Sequence, residues 1–389
     1  MAESDRDPSR VHWMELFFDL IFVALVGQLA HDLSHGPSFG SLALFFALFA
    51  SVWWSWVNLT FAVNVMPELS RRTLALVMLV SMFAVGAIAV AAPDATGDRA
   101  WLFAAGNALL RLVLLALWIH RSWGAGPASR VRVIVYNGVT AALWLASIWV
   151  PQPASFVLWA VAIVVEITLF VVSLSGWSGD VLGRLNVEHL SERFGLLVII
   201  VLGESVLSVV AALDLAWTVA SGVTAALGLV IASLLAWSFF FYGADAMVTG
   251  LERLREAGDV RAIRDTVAFL PFLLVSGVTV IAGALSVAIA HPDEPLPAVS
   301  AASLGGGIAL FFATNAVISR RFGDPWQIVL RWAVPAIGLP VALVFAALAL
   351  PAAASVAAAV VILGIVIGSA ELGVRRRTDT PHARRHEHA

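Results

Sequence analysis

Hydrophobic positions in this chain come in long unbroken runs, not in the alternating or three-and-four patterns of soluble strands and helices. Twelve runs stand out: 13–34, 39–63, 70–92, 99–120, 131–150, 153–174, 190–212, 216–242, 266–290, 298–319, 326–350 and 353–374. Each is close to the ~20 residues a helix needs to cross a hydrocarbon core of ~30 Å. Pro151 and Pro153 separate the fifth and sixth runs, and Pro351 separates the last two, so both pairs are expected to form tight hairpins. The pattern predicts an all-α polytopic membrane protein of about twelve spans. Residues 1–12 form a polar head. Residues 13–174 and 175–374 form two six-helix halves, and 375–389 form a polar tail expected to be disordered. The connection at about 243–265, rich in Arg, Glu and Asp, reads as a short surface helix.

Composition agrees with the pattern. Of the 389 residues, 60% are hydrophobic and 13% charged, with a mean hydropathy of +0.92; a soluble domain carries about 25% charged residues. The arginines then fix an orientation. With the N-terminus inside, nineteen of the 23 basic residues fall on inside segments, and only Arg99 falls outside. That asymmetry predicts that both termini are cytoplasmic. The first span follows the head directly at full length and carries acids, so it is expected to stay in the mature chain. Trp13, Trp101, Trp123, Trp149, Trp177, Trp217 and Trp326 fall at span ends, as an interfacial belt requires. The expected partners are the bilayer and a small molecule or ion, with no nucleic acid. There is no cysteine, and every basic residue is Arg. These absences exclude disulfides, thiolate nucleophiles, Cys-ligated metals, Schiff-base cofactors and a Walker-A lysine; no cofactor is called for.

Spans 1 and 7 look alike. The first reads Glu15-Leu-Phe-Phe-Asp19 and later Gly27-Gln28; the second reads Glu192-Arg193-Phe194-Gly195 and later Gly203-Glu204-Ser205. Spans 2 and 8 share Trp54-Ser55 and Trp237-Ser238. An offset of six spans keeps orientation, so the halves read as parallel repeats. The run from Glu15 to Val23, with His189-Leu-Ser-Glu192-Arg193-Phe194-Gly195-Leu196 and the segment from Ile199 to Ser205, resembles the bacterial low temperature requirement protein A (LtrA) family over nearly the whole chain. Where that family carries aspartates after the Trp-rich end of span 2, this sequence has Asn58 and Asn64. The resemblance implies a multi-pass bacterial membrane protein associated with low-temperature growth and stress adaptation.

In-span charges are the candidate chemistry, because each must find a partner or a wet cavity. Arg111, Glu166 and Glu204 lie near mid-depth and form a candidate proton or ion pathway, with Arg111 as the fixed charge. A static Arg111–Glu pair is the plain alternative. Glu15 and Asp19, four residues apart, share a helix face. With His189, Glu192, Arg193 and Asp245 they form a candidate cytoplasmic cluster, read either as a structural salt bridge to Arg193 or Arg331 or as an ion-handling gate. Gln28, Asn58 and Asn107 are candidate polar support. His31 and His35 have metal-ligand spacing without an identifiable third ligand; His382, His386 and His388 belong to the tail. Pro271, Pro335, Pro340 and Gly305-Gly306-Gly307 are candidate helix breaks, and Gly364-x-x-x-Gly368 is a candidate packing or homodimer motif.

Three readings follow. The first is a transporter or permease-like protein with a proton-titratable carboxylate core. The second is an intramembrane lipid-modifying enzyme using the paired acids. The third is a non-transporting sensor or scaffold in stress adaptation.

Overall fold

The computed structural model describes residues 13–66, 69–122, 131, 133–174 and 184–378. The helices are α1 (Trp13–His35), α2 (Phe39–Val65), α3 (Arg71–Ala91), α4 (Ala100–Ser122), α5 (Thr140–Ser147), α6 (Ala154–Leu174) and α7 (Val187–Leu215). They continue as α8 (Val219–Tyr242), α9 (Ala244–Glu256), α10 (Val260–Arg264), α11 (Leu270–Ala290), α12 (Ala298–Arg321), α13 (Trp326–Ala347) and α14 (Ala352–Thr378). Among the described residues, eleven helices are long and apolar enough to cross a membrane. The fifth predicted span is a shorter apolar helix, Ile134–Ser147, which opens with a π-helical turn at Ile134–Val139. A second π turn, Asp265–Phe269, leads into α11. All-α architecture is the outcome that hydrocarbon dictates, because every backbone donor there must be satisfied within its own segment.

Side-chain capping sets several helix starts. Ser38, Ser70, Asn186 and Thr218 accept from backbone N–H groups of the first turns of α2, α3, α7 and α8. The connection between α8 and α11 holds α9, with Arg253 and Arg255 in its last turn, as the sequence led one to expect. α14 differs from expectation: it runs on through Arg375, Arg376 and Arg377 to Thr378, into the segment read as tail. The tail histidines, Trp123 and Trp177 lie outside the described residues. Trp13, Trp101, Trp149, Trp217 and Trp326 are exposed, as belt residues should be, whereas Trp53 and Trp144 are fully buried.

α1 packs against α2, α3, α7 and α11, and so joins the N-terminal and C-terminal helices. α2, α4, α5 and α6 enclose one interior. α7, α8 and α11–α14 form a second group, in which α11, α12 and α13 are zipped by small residues. A Cβ at Gly307 would lie 2.8 Å from the Gly277 carbonyl, and one at Gly277 would lie 3.0 Å from the Gly307 carbonyl. Gly305 sits against the Pro340 carbonyl in the same way. Thus the glycine triplet, Pro335 and Pro340 lie inside continuous helices and Pro271 lies in the first turn of α11; Gly305 and Gly307 serve close packing, while Gly306 faces open space. Gly364 and Gly368 face open space.

Candidate functional site

α1 and α7 run parallel and side by side. The third and seventh residues of α1, Glu15 and Asp19, face the third and seventh of α7, His189 and Arg193. The Arg193 guanidinium is fully buried. It donates through Nη1 to Glu15 Oε2 at 2.9 Å, through Nη2 to Asp19 Oδ1 at 3.1 Å and through Nε to Asp19 Oδ2 at 3.3 Å. A planar fork on two carboxylates is an arrangement that Arg makes and a point-charge ammonium does not. Trp56 Nε1 donates to Asp19 Oδ1 at 2.7 Å, and its ring lies 5.6 Å from the Arg193 Cζ. His189 Nε2 stands 3.5 Å from Glu15 Oε2. Asn64 orders the other side of that ring. Its Nδ2 donates to the Asn186 carbonyl at 2.9 Å and lies 3.2 Å from His189 Nδ1, while its Oδ1 accepts from Asn186 N.

The structure therefore brings Glu15, Asp19, His189 and Arg193 together. The acids of α1 take Arg193 rather than Arg331, and both carboxylates are occupied by a guanidinium. Glu192 is exposed, about 100° round α7 from Arg193. The side chains of Asp245 and His35 lie outside the described residues, and His31 is exposed. Among the described residues no three His, Asp or Glu side chains gather in a way that would hold a metal ion.

A second charged site lies between α2, α4, α5 and α6. Arg111 and Glu166 have side chains 0% and 1% exposed, and Arg111 Nη2 donates to Glu166 Oε2 at 2.7 Å. Nη2 also donates to the Ser51 carbonyl at 2.6 Å, and Nη1 donates to Asn107 Oδ1 at 2.8 Å. The Trp144 ring lies 5.2 Å from the Arg111 Cζ. Asn107, one turn before Arg111, also donates to the Phe103 carbonyl, so it locks the guanidinium from its own helix. Asn58 accepts from Trp118 Nε1 at 2.8 Å and reaches Asn137 Oδ1 at 3.4 Å. All four polar side chains of this interior expected from the sequence (Arg111, Glu166, Asn107 and Asn58) thus face inward.

Glu204 stands apart from that pair. It is half-buried, past the middle of α7, where α7 crosses α1 at Gly27. Its carboxylate rests on the Gly27 backbone, where any Cβ would overlap Glu204 Oε1, Cδ and Cγ. Among the described residues it makes no hydrogen bond and no ion pair. Gln28, next to Gly27, is on the exposed face of α1.

Several residues at these sites carried no signal of charge: Trp56, Tyr136, Asn137, Trp144 and the Ser51 carbonyl. The readable hint was Tyr136-Asn137-Gly138, an interruption in an apolar run. It coincides with the π turn, a feature that often marks functional positions.

The family model for the bacterial low temperature requirement A protein (LtrA) matches residues 10–367. An uncharacterized protein of Rhizobium meliloti (strain 1021) is 30% identical over 218 residues, which cover 54% of this chain and 53% of that protein. The match thus spans about half the length of that relative. No solved structure matches the chain. With nearly the whole chain covered, and with both recognisable motifs meeting at the Arg193 cluster, the chain belongs to the bacterial LtrA family.

Proposed function

We propose that this chain is a permease-like transporter of the bacterial cytoplasmic membrane, with both termini cytoplasmic and with Glu204 as the carboxylate that takes up and releases a proton. The observation that carries the reading is the isolation of Glu204. A carboxyl group at hydrocarbon depth normally has a partner or a function. Glu15, Asp19 and Glu166 all have a guanidinium, and Glu204 has none among the described residues. Arg193 and Arg111 then serve as fixed charges that hold helices together. In this reading the seam between α1 and α7 is the moving part: the two six-helix halves meet there, Gly27 gives the Glu204 carboxyl room, and the Arg193 cluster closes the Arg-rich end.

The test is proton flux into proteoliposomes loaded with a pH-sensitive dye. Wild-type protein should carry flux under a pH gradient. Glu204→Gln, which keeps shape and loses the titratable proton, should abolish it while leaving the melting temperature within a few degrees of wild type. Flux equal to wild type in a folded Glu204→Gln protein overturns the assignment.

A further inference from the structure

The interior around Arg111 and Glu166 is not chemically complete. Three buried polar atoms there have no hydrogen-bond partner, Arg111 Nε, Trp144 Nε1 and Glu166 Oε1, and the buried Tyr136 hydroxyl has no partner but the Asn58 amide beside it. Ser55 Oγ, one turn along α2 from Ser51, is another without a partner. Buried polar atoms in native proteins are nearly always satisfied, so such a cluster marks the place of something that satisfies it. The atoms are grouped. Trp144 stacks on the Arg111 guanidinium, Glu166 accepts from it, and Tyr136 lies in the π turn that packs on α4 and α6.

The site also has a closed end and a polar end. On one side Phe103, Trp144 and Trp159 pack in mutual contact, with ring centroids 5.1–6.1 Å apart. Trp159 Nε1 donates to Ser147 Oγ at 2.9 Å and fixes that plug. On the other side Ser55, Tyr136, Asn58, Asn137 and Trp118 lead toward the helix ends that carry the arginine-rich connections.

We propose that this interior binds a small planar monoanion of the carboxylate class together with one proton. The free donors are Arg111 Nε–H, Trp144 Nε1–H and the Tyr136 hydroxyl, against one free acceptor, Glu166 Oε1. A proton on Glu166 turns that acceptor into a donor and leaves Arg111 with one uncompensated positive charge. The set is then a cage of donors around a single cation, which one anion neutralises. A divalent anion would leave a net charge in the interior, and an anion without the proton would face the Glu166 carboxylate. Arg111 keeps Asn107 and Ser51, so the ligand meets its Nε edge and the neighbouring donors. The ionisable groups facing Glu166 are Arg111 from α4 and Tyr136 from the π turn. α2 contributes none, and Arg264 meets α6 only at the Val171 carbonyl near its end. This site stands independently of the transport reading, because binding needs no flux.

The experiment is calorimetric titration of sodium formate into detergent-solubilised full-length protein, at mildly acidic and mildly alkaline pH, in two buffers of different ionisation heat. Wild type should bind with an uptake of one proton per anion, so affinity rises as pH falls. Tyr136→Phe should weaken binding about tenfold by removing a donor to a charged ligand. Glu166→Gln, permanently neutral, should bind formate with no pH dependence and no proton uptake. Absence of formate binding to folded wild type overturns the proposal, since water alone then fills the site. So does binding that Tyr136→Phe leaves unchanged, or proton uptake that persists in Glu166→Gln. If Glu166→Gln does not fold, Tyr136→Phe and the wild-type proton count decide.

Discussion

Two interiors of this molecule are built on opposite principles. Between α2, α4, α5 and α6, helices are joined by a buried ion pair, asparagine side chains and indoles in tilted contact. Between α11, α12 and α13 the backbones approach until a Cβ at Gly277 or Gly307 would touch the facing carbonyl, and a charged side chain enters only at the α12–α13 turn, where Arg320 lies over the Trp326 ring. Lipid tails are as apolar as leucine, so neither group gains from hydrophobic burial between helices. One uses directional polar contacts and the other uses dispersion at short range. Among the described residues, unsatisfied polar atoms lie beside the buried Arg111–Glu166 pair in the first interior. In the second, the buried groups without a partner are single hydroxyls on α11 and α12, at Ser276, Ser303 and Thr314.

The sharpest way to break the contrast is to remove one charge from the first interior. Glu166→Ala leaves Arg111 buried without its counter-charge, which should cost about 3–5 kcal/mol. The double variant Arg111→Met/Glu166→Leu should recover most of that loss, because the desolvation of both charges disappears with them. Thermal unfolding in detergent reads both; a double variant no more stable than the single one would show that the pair contributes more than mutual neutralisation. A smaller effect is expected in the second interior. Gly307→Ala places a methyl 2.8 Å from the Gly277 carbonyl and 2.7 Å from Ile281 Cγ1, and overpacking of this kind costs about 1–3 kcal/mol. Shortening Ile281 alone should not rescue it, since the Gly277 carbonyl stays in the way. The smallest effect is expected at Gly364, where a methyl meets nothing. Gly364→Ala should leave the melting temperature of the monomer unchanged, within the ~0.5 kcal/mol typical of open positions.

The contrast was partly legible in the chain. Hydropathy placed the spans, and the rarity of in-span charges singled out Arg111, Glu166, Arg193 and Glu204. The fifth span was less legible, because a run of apolar residues does not reveal that its first turn is π-helical. The glycines were visible, but their use was not. Gly305 and Gly307 pack backbones, whereas Gly364 and Gly368, in a recognised motif, face outward. Spacing sets which residues share a face, and the rotation of each helix against its neighbours sets what that face meets.

The same division holds for the charges. The sequence alone determined a helical membrane protein with no cysteine and no lysine, in which every buried cation is a guanidinium. It also determined that Glu15 and Asp19 act as a pair, since four residues is one helical turn. Only the tertiary structure decided the partners. Arg193, some 174 residues along the chain, closes on the acids of α1, and Arg111 takes Glu166 while Glu204 is left on Gly27. A charge in hydrocarbon must find an opposite charge, but sequence fixes only its depth and its helix face. Which charge it finds depends on which helices pack side by side, and that is settled by the summed fit of many apolar and glycine contacts far from the charges themselves.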